Sequence, residues 1–310
     1  MSGDGAHPPD AHLSERPPGA RLIRDPRRIS GARLIGGRYR LAGRLGSGPT
    51  GTVWRARDEQ TPGREVAVKE PLLPGDPADA EDSRRIAHRL YREARAAARV
   101  RHPSAVTVYD VVTEADVPWI VMELVEGESL REALSRGPLP PAEAARVGLA
   151  VLGALCAAHA VGIVHRDVKP ANVLLESGTG RVVVTDFGTG DGHPAQAPAG
   201  FIAPERAAGP GAGPASDLWS LGALLRAALG DADPGPLGPL LERLHADEPE
   251  ARPAAEEVTA ALRTYLGLGP VPDAEPGTAS EPAAPPPPGP RRRTPRTALG
   301  LLLARKAGLE

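Results

Sequence analysis

Residues 165–188 open with His165-Arg166-Asp167-Val168-Lys169-Pro170-Ala171-Asn172, run on through Val173-Leu174-Leu175, and reach Asp186-Phe187-Gly188 after a second short apolar strand. Charged and amide side chains crowd one loop, and a pair of short strands carries the chain to a further carboxylate. Upstream of the loop the pattern is helical. PAEAARVGLAVLGALCAAHA reads as a long, largely buried helix opened by Pro141, and ESLREALSR (128–136) as a shorter one. Farther upstream come strands, each bounded by Gly or Pro: RYRLAGRL, GTVWRARD and REVAVKE, then VTVYDVV and PWIVMEL. Between those two groups a helix near 80–100 places Ile86, Leu90, Ala94, Ala97 and Val100 at helical spacing. Downstream, DLWSLGALLRAAL and PLLERLH are helical again. A strand-rich small lobe followed by a helix-rich larger lobe is an α+β, two-lobed design.

The flanks differ in composition. The 310 residues include 36 Gly and 36 Pro, just under a quarter of the chain, against roughly 12% in average usage. Residues 1–37 lack sustained periodicity and read as a disordered arm; 268–290 form a Pro-rich linker, and 291–310 a basic tail. The folded part is 38–267, with a small lobe over 38–122, a connecting segment over 123–127 and a large lobe over 128–267. Aromatics are 3% of the chain, so the core is expected to consist of Ala, Leu and Val. A formal net charge of −2 gives no global footprint for nucleic acid. The single cysteine, Cys156, excludes an internal disulfide and favours a cytoplasmic location. No run approaches the ~20 consecutive apolar residues of a bilayer span, so no transmembrane segment is expected.

Several features carry chemistry only in combination. Gly46-Ser47-Gly48-Pro49-Thr50-Gly51 lies between two strands, which suits either a hairpin turn or a backbone brought close to phosphate oxygens. Lys69, in the alternating strand Val66-Ala67-Val68-Lys69, is either a solvated edge residue or the partner of Glu93. Glu93 falls on the apolar stripe of the 80–100 helix, where an unpaired carboxylate is costly. His159 and Cys156 read as core residues, and the lone His193 as a solvated loop residue.

Taken with Ala203-Pro204-Glu205, Asp217-Leu218-Trp219-Ser220-Leu221-Gly222 and Arg252, the chain resembles the eukaryotic-type (Hanks-type) bacterial serine/threonine protein kinases over residues 38–267. The resemblance implies ATP as phosphoryl donor with Mg²⁺, Mn²⁺ being the alternative ion, and protein substrates. It assigns Asp167 to the substrate hydroxyl, Lys169 to the γ-phosphate, and Lys69, held by Glu93, to the α- and β-phosphates. Asn172 and Asp186 become the metal ligands. Leu45, Gly46, Gly48, Gly51 and Val53, with Ala67 and Leu174, enclose the nucleotide. Met122 closes the back of the pocket, and Glu123 and Val125 offer backbone groups to adenine. Glu205 and Arg252 become a buried ion pair, and His165, Phe187 and Asp217 structural residues.

The sequence also departs from that pattern. Pro49 removes a backbone donor at the tip of the glycine loop. Pro198 stands where the family places a threonine, which puts substrate positioning in question. Only 35 residues separate Asp217 from Arg252, so the helix that usually projects from the large lobe is expected to be missing. A pseudokinase scaffold is the alternative these departures support. The tail run Arg291-Arg292-Arg293, with Arg296, Arg305 and Lys306 around an apolar run, reads as a solvated charge run, a weak membrane-surface contact or a tether for self-modification at Thr294 and Thr297. The only hydroxyl between Asp186 and Glu205 is Thr189, directly after the DFG glycine. Phosphosite mapping of the active chain is therefore expected to find no modification at Thr189 on which activity depends.

Overall fold

The structure, a computed structural model, describes residues 33–188, 199–209 and 213–269. The chain divides into two units, 1–270 and 271–310, and every described residue belongs to the first. The expectations for Thr189, His193, Pro198, the basic tail and the linker beyond residue 269 lie outside the described residues. The arm expected over 1–37 is corrected at its end, where Leu34 and Ile35 pair with Arg40 and Tyr39 and Ile35 is buried.

Strands β1 (Leu34–Ile35), β2 (Tyr39–Gly48), β3 (Gly51–Asp58), β4 (Glu65–Pro71), β5 (Val108–Glu114) and β6 (Val117–Glu123) form one antiparallel sheet in the order β1-β2-β3-β4-β6-β5. Helix α1 (Glu81–Ala97) is the crossover between β4 and β5. The register explains why β4 is buried on both sides. Trp54 pairs with Val68 and Val68 with Val121, and these residues share a core with Ile35, Tyr39 and Leu41 on one face. Val53 pairs with Lys69 and Ala67 with Met122, so these four alternate onto the other face. A one-residue slip would exchange the two sets, and the apolar core on the first face prevents it. The Arg33 guanidinium covers the Trp119 ring at 4.6 Å and closes that core.

The second lobe hangs on a small sheet, β7 (Gly127–Ser129), β8 (Val173–Glu176) and β9 (Val182–Val184). Helices α2 (Leu130–Leu134), α3 (Pro141–Ala160), α4 (Pro204–Ala208), α5 (Pro214–Leu229), α6 (Gly238–Leu244) and α7 (Ala255–Tyr265) follow in turn. The helix expected over 128–136 is shorter, because Glu128 belongs to β7. Ser129 caps α2 instead: its hydroxyl accepts from Glu132 N, and the Glu132 carboxylate accepts from Ser129 N at 2.8 Å. That capping box fixes the strand-to-helix switch at one residue.

Helix α3 is the core helix, its Val147, Val151, Leu152, Leu155 and Ala158 buried against α5 and α7. Among the described residues α3 is the one helix long and apolar enough to cross a membrane; half of that window is buried inside the fold. A Cβ at Gly148 would come within 2.7 Å of Leu225 Cδ2, so α3 and α5 approach closely there. Between Leu229 and Arg252 the chain forms only α6 and short 3-10 turns, matching the shortened span read from the sequence.

Arg252 ties the lobe together. Its guanidinium makes a fork with Glu205 at 2.6 and 2.8 Å and also donates to the carbonyls of Ala215, Ala246 and Asp247. The Arg252 hydrogen bond, opposed in part by burial, holds the Glu205 carboxyl below its usual range. A depressed carboxylate stabilises the fold above its unfolded pKa, near 4.5, and that contribution is lost as pH falls through the folded value. Arg252→Ala is expected to cost about 3 kcal/mol at neutral pH. In denaturant titrations the gap between variant and wild type should narrow once the pH drops below the ordinary glutamate range.

Candidate active site

The loop between α3 and β8 is shaped from beneath by one carboxylate. Asp217, on α5 and almost wholly buried, accepts from His165 N and Arg166 N at 2.8 Å each, and meets His159 Nε2 at 2.8 Å. Two backbone donors converge on it because Arg166 takes a left-handed φ of 67°. The His165 ring, fully buried, bonds Thr185 O through Nε2 at 2.9 Å and accepts from Asp167 N through Nδ1, which sets its tautomer. The ring also packs on Phe187 with centroids 4.8 Å apart.

This frame presents Asp167. Lys169 Nζ lies 2.8 Å from both carboxylate oxygens of Asp167, and Asn172 Nδ2 donates to Asp167 Oδ2 and to the Asp167 carbonyl, each at 2.8 Å. With its NH₂ engaged in this way, the Asn172 side chain keeps Oδ1 as its acceptor. Asn172 O accepts from Thr185 N at 2.9 Å, so the loop and the end of β9 are held side by side. Asp186 then turns, at φ 64°, to place its carboxylate 2.8 Å from Lys69 Nζ. Burial pushes the Asp186 carboxyl up, but the Lys69 ammonium outweighs it. With Lys169 adding to the field, the group is held below the usual carboxylate range. Lys69 is 5% exposed at its side chain, so this is an ion pair largely removed from water.

The sequence pointed to a Lys69–Glu93 pair, and the ion pair formed is Lys69–Asp186. The buried Asp186 carboxylate demands a counter-charge, and the β3–β4 register aims Lys69 at it. Glu93 sits half-buried on α1 with Oε2 inside the protein.

Among the residues assigned to the nucleotide by resemblance, Ala67 and Met122 are buried opposite one another, Val53 and Leu174 pack on the same core, and Leu45 is 47% exposed. The three glycines do different work. A Cβ at Gly51, where φ is 141°, would fall 2.1 Å from Glu70 O, so the hairpin itself requires glycine there. At Gly46 and Gly48 a Cβ would meet nothing within 4 Å, and those two leave open backbone facing outward. Glu123 N donates to Thr107 O at 2.9 Å, which removes that N–H from the groups the sequence offered to adenine. Val125 N–H and C=O make no hydrogen bond among the described residues.

One contributor was read differently in the sequence and another was not singled out there. His159, expected to be a packing residue, is a polar partner of Asp217. Arg181, just before β9, clamps the Glu123 carboxylate with Nη2 at 2.8 and 2.9 Å and donates through Nε to Pro103 O. Both partners are 58 residues from the group they meet, beyond the reach of local periodicity. The available signal was a charged residue beside an apolar strand or at the end of an apolar helix.

A two-lobed fold with a lysine on the sheet, a carboxylate–amide loop and a DFG carboxylate is the arrangement of a protein kinase domain. The sequence pattern of the protein kinase domain matches residues 39–236, and the chain belongs to that family, whose members use ATP and a divalent metal. It is 34% identical over 286 residues to serine/threonine-protein kinase PkaA of Streptomyces coelicolor, covering 76% of this chain and 52% of that one. It is 38% identical over 232 residues to serine/threonine-protein kinase PknL of Mycobacterium tuberculosis, covering 70% and 56%. The chain thus spans about half the length of the curated relatives it matches. The kinase domain of M. tuberculosis PknI superposes with a TM-score of 0.62 at 29% identity, covering 76% of this chain and 99% of that one.

Because Arg181 acts on the connecting segment through Glu123, it is a positioning residue. Arg181→Ala should raise the KM for ATP roughly fivefold, about 1 kcal/mol, with a smaller change in kcat. Arg181→Lys should recover part of that loss, and equal changes in both parameters would count against the assignment.

Proposed function

We propose that the chain is an ATP- and Mg²⁺-dependent serine/threonine protein kinase. The observation that carries the reading is the cluster in which Lys169 and Asn172 both hold Asp167 at 2.8 Å while Lys69 holds Asp186 at 2.8 Å. A scaffold gains nothing from keeping these charges together, since each is buried at a cost. The names of the relatives PkaA and PknL support Ser/Thr hydroxyls of proteins as acceptors.

The donor set suits a hard divalent cation: one carboxylate, Asp186, and one amide oxygen, Asn172 Oδ1, with phosphate oxygens to complete the shell. Mn²⁺ fits the same donors. When bound, the ion neutralises charge on the transferring group. Asp167 would orient the substrate hydroxyl and take its proton as the oxygen forms its bond to the γ-phosphorus and the bond to ADP breaks. Lys169, already against Asp167, lies where it would offset charge on the γ-phosphate. Lys69 would exchange part of its contact with Asp186 for the α- and β-phosphates. Val125 would meet the adenine edge between Ala67 and Leu174. Positioning and preorganised charge supply the rate in such a transfer. A cytoplasmic location goes with this reading, because one cysteine allows no internal disulfide.

Incubating the full chain with γ-labelled ATP, Mg²⁺ and a generic basic protein tests the proposal. Label on phosphoserine or phosphothreonine is expected, falling about 100-fold or more in Lys69→Ala and in Asp167→Asn. A folded wild type that transfers no phosphate would refute it.

A further inference from the structure

Helix α1 turns Ser83, Ala87, Leu90, Ala94 and Ala97 inward. The line diametrically opposite, at 3.6 residues per turn, runs through Arg85, His88, Arg92 and Arg95 and on to Arg99 just past the helix end. All five are exposed, and every position on that line is basic over about 21 Å. An ordinary solvated helix face interleaves acids at these spacings, because like charges three or four residues apart destabilise the helix. Here acids sit only at the start, where Arg85 meets Glu81 and Asp82. His88, Arg92 and Arg95 enter no ion pair among the described residues, and Arg99 donates to a carbonyl, Val161 O, which leaves its charge uncompensated.

A matching surface lies on the same chain. Asp247, Glu248, Glu250 and Glu256 are exposed and form no ion pair among the described residues, whereas neighbouring Glu257 is paired with Arg243. The backbone of this segment is held in place, since Arg252 donates to the carbonyls of Ala246 and Asp247. With its backbone already held, the segment need not fold on binding, and arginine forks match carboxylates geometrically.

We propose that the outer face of α1 docks the 247–256 segment of a second copy of this chain. The two patches differ, so the contact is head-to-tail and leaves a free patch at each end of the pair. The complement on the chain itself, and a net charge of only −2, favour this occupant over a nucleic acid or an anionic membrane. The contact loads the helix that carries Glu93 from the side away from the active site, and it does not depend on the transfer chemistry.

Sedimentation velocity of the full chain over a concentration series tests it. At low ionic strength the wild type is expected to self-associate, and rising salt should dissociate it as charges are screened. Arg92→Glu/Arg95→Glu should weaken self-association by roughly tenfold or more, and so should Glu248→Arg/Glu250→Arg. An equimolar mixture of the two variants should associate again, because each then presents the charge the other lacks. All these positions are exposed, and circular dichroism of each variant checks that it folds. A wild type that stays monomeric at low salt overturns the proposal, including one that binds heparin or anionic vesicles as a monomer. Variants that associate like the wild type, or a mixture that does not recover, overturn it as well.

Discussion

The buried carboxylate of Asp217 is the constraint on which the rest of the site depends. It receives two consecutive backbone donors, those of His165 and Arg166, and the ring of His159. A carboxylate so far from water is tolerable only when its lone pairs are filled, and filling them forces Arg166 into a left-handed conformation. That reversal aims the next residue, Asp167, away from the helical core. Everything above follows in sequence: Lys169 and Asn172 close on Asp167, and Asn172 in turn holds Thr185 beside the DFG turn.

Above this frame a shared apolar core joins the lobes, from Ala67, Ile120 and Met122 to Leu130, Val173 and Leu155, and buried charges add a second kind of contact. Lys69 comes from the sheet, Asp186 from the end of β9, and their ion pair is shielded from solvent. At the connecting segment the same logic recurs, where Arg181, just before β9, grips Glu123 of β6. Such pairs hold geometry without much net stabilisation, because desolvation offsets most of the attraction. They also leave the partners able to exchange a protein charge for a phosphate or a metal ion, which a packed leucine could not do.

Much of this was legible in the residues. Alternating apolar positions placed the five long strands, and the helical spacing of Leu90, Ala94 and Ala97 placed α1 with its buried side correctly turned. Asp167, Asn172 and Asp186 could be gathered into one site, and the Glu205–Arg252 fork anticipated. The boundary of α2 was misread although Ser129 and Glu132 carry the spacing of a capping box. Lys69 was assigned to Glu93 because a carboxylate on an apolar stripe calls for a cation. The left-handed turn at Asp186 that brings a closer carboxylate is a backbone property no side-chain pattern displays. The roles of His159 and Arg181 were missed for a related reason, since their partners lie 58 residues away and meet them only once α5 and the β6–β9 junction are built.

The central claim is that these buried charges are arranged to exchange one another for a metal-bound triphosphate. Calorimetric titration of ATP into the full chain, with and without Mg²⁺, tests it most directly in wild type and in Asp186→Asn, which keeps the shape and removes the charge. The account predicts that Mg²⁺ tightens ATP binding to the wild type and that the substitution abolishes most of this gain. An Mg²⁺ dependence unchanged by Asp186→Asn, or a folded wild type that binds no ATP, would contradict it.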